Sequence, residues 1–182
     1  MIILEEAKQY LVEVLLPAKN EHLKILRKQM DSNKELKYTL TTPIRNLPKY
    51  KYLLDGTFLQ ARSLFEIIEY SLKFSDIESY FMKTSKGILV GFIAVSIEKE
   101  NNKKIVNDIK LFSFGLSSKE DEDIIRKDVP DLMDVCLKKY SKVMWTAHRE
   151  NKAIIAYDIF CKRKKGTWED AGKYRRYTCY SK

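Results

Sequence analysis

Histidine and cysteine are scarce in this chain. Two histidines (His22, His148) and three cysteines (Cys136, Cys161, Cys179) fall at no metal-ligand spacing, so no metal centre is expected, and an odd cysteine count argues against a disulfide framework. A reduced, cytoplasmic setting is the expectation. Long apolar runs are missing as well: nothing approaches the roughly 18 consecutive apolar residues that cross a bilayer, so no membrane association is expected. The amino terminus, Met1-Ile-Ile-Leu-Glu-Glu-Ala-Lys, has neither a basic leader nor a long apolar core and does not read as a signal peptide. Glycine and proline are few, six and four, and there is no internal repeat and no low-complexity tract.

What is present suits one globular domain over residues 1–182: 45% of the residues are hydrophobic, enough for a sizeable core and too short a chain for a second one. The net charge of +9 sets up a field that favours nucleic acid, anionic cofactors or acidic proteins. The lysines are spread along the chain rather than gathered in one tract.

Residues 1–77 read as mainly helical. Leu4 to Leu16 is apolar-rich and ends at Pro17. Lys19 to Met30 is a second helical segment closed by Asp31-Ser32-Asn33. Leu36 to Leu40 alternates weakly and predicts an extended piece. Pro43, Pro48 and Gly56 then exclude one continuous helix or central strand, leaving a loop region over the core. From Thr57, a plausible N-cap, the residues Phe58, Ala61, Phe65, Ile68 and Leu72 form one apolar stripe at helical spacing.

After Ser75-Asp76 the period drops to two. Glu78 to Lys83, Gly87 to Glu98 and Lys104 to Phe114 are rich in β-branched and aromatic residues and predict a three-strand antiparallel meander. In the middle strand Ile88, Val90, Phe92 and Ala94 share one face and Leu89, Ile93, Val95 and Ile97 the other. A strand apolar on both faces is covered on both, so helices are expected on each side of the sheet. A helix stripe follows from Val129 to Tyr140 with Pro130 in its first turn. Lys142 to Thr146 reads as a strand, Asn151 to Cys161 as a helix, and Thr167 to Glu169 with Arg175 to Tyr180 as two closing strands around Ala171-Gly172. Residues 78–182 thus read as a sheet with two helices, in the order β-β-β-α-β-α-β-β.

That order, together with Val143-Met144-Trp145-Thr146, the helix opening Glu150-Asn151-Lys152-Ala153-Ile154-Ile155-Ala156-Tyr157, and Trp168-Glu169-Asp170-Ala171-Gly172-Lys173-Tyr174-Arg175-Arg176-Tyr177, resembles the GNAT superfamily of N-acetyltransferases, over roughly residues 78 to 180. It is also similar to small GNAT-like proteins of tailed bacteriophages. The resemblance implies an α/β fold with a central, mostly antiparallel sheet covered by helices on both faces. It also implies acetyl-CoA as cofactor and acyl transfer to an amine by direct attack.

Such chemistry needs a carbonyl held by backbone N–H groups, a pyrophosphate at a helix N-terminus, and an acid and a base. By resemblance, the carbonyl site falls at Phe114, Gly115 and Leu116, where Gly115 either splays the chain or merely ends a strand. Asn151 matches the position that meets the pantetheine arm, or else caps its helix. Tyr157 matches the acid that protonates the leaving thiolate, or else packs in the core. Asp108 and Glu98 are the carboxylates on the central strands that could act as base.

The family's pyrophosphate pattern aligns with Arg126-Lys127-Asp128-Val129-Pro130-Asp131. Arg126 matches and Lys127 could assist, but Val129 and Asp131 replace both glycines. Glu120, Asp121, Glu122, Asp123, Asp128 and Asp131 also place six carboxylates near that helix N-terminus, where they complement its dipole and repel phosphates. The alternative is therefore a GNAT-fold binding or structural protein without catalysis. A third reading is a nucleic-acid-binding module built on Lys162, Arg163, Lys164, Lys165, Arg175 and Arg176 with tyrosines between them, which could equally hold the cofactor's 3′-phosphate or be a solvated turn.

Overall fold

The computed structural model describes residues 15–50, 57–84, 87–115, 130–151 and 153–182. Its centre is a seven-stranded sheet in the order β1-β2-β3-β4-β5-β7-β6. The strands are β1 (Leu15–Pro17), β2 (Ile77–Lys83), β3 (Leu89–Glu100), β4 (Lys103–Ser113), β5 (Lys142–His148), β6 (Thr167–Ala171) and β7 (Tyr174–Tyr180). Neighbours pair antiparallel except β4 and β5, which run parallel. The helices are α1 (Asn20–Ser32), α2 (Lys34–Thr41), α3 (Thr57–Gln60), α4 (Leu64–Ser71), α5 (130–139) and α6 (Ile154–Arg163).

The expected meander is present, and its tightest turn has a local cause. Glu100 pairs with Lys103, and the two residues between them, Asn101 and Asn102, take φ of 51° and 64°. Asparagine tolerates that left-handed conformation, and two such residues in succession match the twist of a two-residue hairpin. Helices cover both faces, as the doubly apolar β3 requires. On one face α1, α2 and α4 pack Leu26, Leu36, Leu40, Leu64 and Ile68 against Phe81, Phe92 and Phe112. On the other, α5 and α6 bring Leu132, Met133, Cys136, Phe160 and Cys161 against Ile93, Val95, Trp145 and Tyr177. Each such fully buried side chain contributes about 1.5–3 kcal/mol of transfer free energy.

Four local expectations are corrected. Residues 4–14 of the first expected helix lie outside the described residues, but its end, Leu15–Pro17, is an edge strand paired with β2 through Leu15 opposite Met82. Proline lacks an N–H and suits a sheet edge. Leu36 to Leu40 is helical rather than extended: Asn33 accepts a hydrogen bond from the Leu36 N–H at 3.1 Å, capping α2, and Leu36 and Leu40 bury one turn apart. The stripe from Thr57 is cut in two at Ala61 to Ser63, because Ser63 caps α4 by accepting from the Glu66 N–H at 3.2 Å. Finally, the face alternation of β3 reverses at a bulge: Met82 pairs with Gly91 but Lys83 with Leu89. Val90 is the extra residue, so Leu89 joins the core on the Phe92 face and Val90 joins the opposite one.

Candidate acyl-transfer site

The site begins with a break in the sheet. β4 and β5 are neighbours, yet they pair at Val106 opposite Val143 and part beyond it. A bulge at that point bends β4: Ser96 pairs with Asp108 and Ile97 with Val106, leaving Asn107 extra. The next backbone donor toward β5 is satisfied locally, since the Ile109 N–H donates to the Asp108 carboxylate at 3.0 Å.

The opening between the strands is a cavity of about 200 Å³ lined by Ile109, Lys110, Leu111 and Ser113 of β4, Thr146 and Ala147 of β5, Asn151, Ala153 and Tyr157 at the start of α6, and Lys49 and Tyr50 from the turn Pro48–Tyr50. Pairing of Phe112 with Phe92 and donation from the Phe114 N–H to the Val90 carbonyl at 2.9 Å turn the even-numbered backbone groups of β4 toward β3. By strand alternation, Ile109, Leu111 and Ser113 turn theirs toward the opening. The Tyr50 hydroxyl takes the Ser113 carbonyl, and Leu111 aims its N–H into the cavity.

Several residues singled out in the sequence meet here and others do not. Asn151 and Tyr157 both line the opening. Asn151 also accepts from the Ala153 N–H at 3.0 Å, so it opens the helix as well. Tyr157 packs edge-on against Trp145 at 6.2 Å and Tyr177 at 5.9 Å, and burial pushes its phenol up to about 12. Phe114 is buried in the core beneath α1, α2 and α4, and Gly115 takes φ of 68° while its N–H donates to the Ser113 hydroxyl at 3.3 Å. Leu116, Arg126 and Lys127 lie outside the described residues. Asp108 is ion-paired with Lys110 at 2.9 Å; Glu98 is exposed near the hairpin turn opposite Ile105. Neither carboxylate lines the opening. Asp131, at the start of α5, is held above its usual range by burial and by the adjacent Asp134.

The basic cluster is partly consumed by the fold. Arg175 donates to Asp158 at 2.8 Å and to Asp170 at 2.7 Å, and its guanidinium lies 5.5 Å from the Trp168 ring centroid. Lys164 pairs with Asp134 at 2.6 Å, and Lys162 sits over Trp168. With the Tyr177 hydroxyl donating to Asp158 at 2.7 Å, these contacts clamp the turn of α6 that follows Tyr157. Lys49, Tyr50, Lys110 and Leu111 were not singled out in the sequence. Their spacing carries no signal, since elements distant in the chain bring them together.

No family model matches this chain, and no curated protein matches it. Solved structures do. A single-residue variant of the spermidine N-acetyltransferase SpeG of Vibrio cholerae superposes with a TM-score of 0.57 at 13% identity, over 92% of this chain and 94% of that one. The same enzyme in complex with CoA and spermine gives 0.53 at 9% identity over the same shares, and its complex with manganese ions gives 0.56 at 11% identity over 92% and 91%. This chain has the GNAT fold of those acetyltransferases. The particular likeness is to a polyamine-acetylating enzyme, and at this identity it is a likeness of fold.

Proposed function

We propose that this protein is an acyl-CoA-dependent N-acyltransferase that acylates an amine. The observation carrying the reading is the parted β4–β5 pair, with a strand N–H, an amide side chain and a half-buried, protonated phenol around one narrow cavity. A cavity of about 200 Å³ is below the roughly 300–1,000 Å³ of sites that enclose a whole small molecule; it suits a slender pantetheine arm. The amine acceptor is supported by the fold shared with the spermidine N-acetyltransferase.

Acetyl-CoA would supply the thioester, whose C–S bond breaks as the amine nitrogen forms the amide bond, giving N-acyl amine and free CoA thiol. The residues divide the remaining work. The Leu111 N–H stands where a carbonyl oxygen gains charge. The Asn151 amide holds the arm in line between the strands. Tyr157, protonated at neutral pH as any phenol is and held the more firmly so by burial, hands its proton to the departing sulfur; the proton that the nitrogen sheds as the amide forms passes to solvent water, from which the phenol regains its own.

Titration with acetyl-CoA by calorimetry at near-physiological salt tests this, with free CoA as control. One site in the micromolar range, weakened about tenfold by Asn151→Ala, is the expected result. An absence of binding, or binding that disappears on modest addition of salt, would leave only attraction to a cationic surface and return the fold to a non-catalytic binding role.

A further inference from the structure

A second cavity lies on the α1-α2-α4 face of the sheet, and its volume of about 440 Å³ falls within the range that encloses a small molecule. Its floor is apolar: Leu59, Ile67, Ile77, Ala94 and Phe112. Lys110 lines both this cavity and the opening between β4 and β5, so the two are neighbours across one residue. The only carboxylates lining it, among the described residues, are Glu66 and Glu69, and each already faces a cation: Glu66 pairs with Arg62 at 3.6 Å and Glu69 with Arg27 at 3.8 Å. Arg62, Lys73 and Lys110 line it as well.

We infer that this cavity is the acceptor pocket and that the acceptor is a monoamine with an apolar, aryl- or alkyl-type body rather than a polycation. The inference rests on the acyltransferase reading for the word acceptor, but the pocket's preference stands on its own lining. A polyamine needs several unpaired carboxylates along its length, since each buried ammonium must be matched. Here both carboxylates are already engaged in half-exposed ion pairs, as Lys110 is with Asp108, so among the described residues no lining carboxylate is left to match an ammonium, and the whole chain carries +9. An apolar body instead gains from the floor through the surface it removes from water. The exposed Tyr70 at the rim adds an aromatic face.

Binding is measured without any acyl donor, by calorimetry and saturation-transfer NMR, using phenethylamine and spermidine as probes. Phenethylamine should bind at least tenfold more tightly than spermidine. Ala94→Phe, which places a ring in the cavity, should weaken phenethylamine at least tenfold, and its melting curve reports whether the fold survives. Tyr70→Ala, at an exposed position whose ring otherwise packs on Phe74, should weaken it about threefold to tenfold, as loss of one aromatic contact implies. Tighter binding of spermidine, or phenethylamine binding that neither variant alters, would overturn the inference. The acetyl-CoA titration on the same samples separates the two ideas: loss of acetyl-CoA binding with phenethylamine binding intact sinks the acyltransferase reading and leaves the pocket's preference in place.

Discussion

Replacing Tyr157 by phenylalanine removes one oxygen from a ring whose packing is otherwise retained, with Trp145 and Tyr177 edge-on at 6.2 and 5.9 Å. If the phenol donates a proton to the leaving thiolate, kcat should fall by about 10²–10⁴-fold, the usual worth of a positioned acid, or about 3–5 kcal/mol of barrier, with KM for acetyl-CoA little changed. A thiol-release assay measures both. Stability supplies an independent check with a definite sign. Burial raises this phenol from 10.0 to about 12. Below pH 10 it is neutral in folded and unfolded chains alike; between 10 and 12 only the unfolded chain gives up the proton, so the fold loses stability as pH rises through that window. At about 1.4 kcal/mol per pH unit, the loss reaches about 2–3 kcal/mol by pH 12. The phenylalanine variant has no such proton, so the wild-type-minus-variant difference in urea unfolding isolates Tyr157 from the other tyrosines. Near-equal kcat values would remove Tyr157 from the chemistry, and parallel stability profiles from pH 7 to 11 would contradict its burial.

Three further outcomes follow from individual hydrogen bonds and close contacts. Glu78 accepts from Lys139 at 2.8 Å, from Tyr80 at 2.9 Å and from Tyr140. Burial works against its charge, but these hydrogen bonds outweigh it and its carboxyl lies below the usual value. Its stabilisation is therefore present above the unfolded-state value and lost as pH falls through the lower folded one; Glu78→Gln should cost about 1–2 kcal/mol at neutral pH and flatten the acid limb of a stability-versus-pH curve. Gly166→Ala would place a methyl group 2.6 Å from the Cys179 sulfur, 2.7 Å from that of Cys161 and 2.7 Å from the Thr178 carbonyl. Overpacking of about 1–3 kcal/mol should appear as a lower urea midpoint at unchanged m-value. Asn151→Ala should lose about 1 kcal/mol of helix-start stability besides its effect on acetyl-CoA, through the bond to the Ala153 N–H; a melting temperature equal to wild type would show that this bond is not holding α6.

Where a local rule decides the structure, the chain alone determined it. The period-two runs and the Asn101-Asn102 turn specify the β3–β4 hairpin because both signals lie within a few residues of the pairing they direct. The stripe of Leu132, Met133 and Cys136 specifies the α5 face in the same way. Leu15–Pro17 could not be read so, because its strand conformation is completed by Tyr80 to Met82, far along the chain. Leu36 to Leu40 is too short for its period to choose between helix and strand; the Asn33 cap and the core beneath it choose. Asn151 and Tyr157 could be proposed from the sequence because they sit in a contiguous segment with a family-like pattern, and both line the opening. The site around them is a matter of tertiary structure. Lys49 and Tyr50 reach it from a turn of the N-terminal half, and the role proposed for Leu111 depends on the hydrogen-bonding parity of β4. The opening lies beside a bulge at Asn107, where β4 and β5 stop pairing, and the register of such a bulge is set by the strands on either side rather than by the residues that form it.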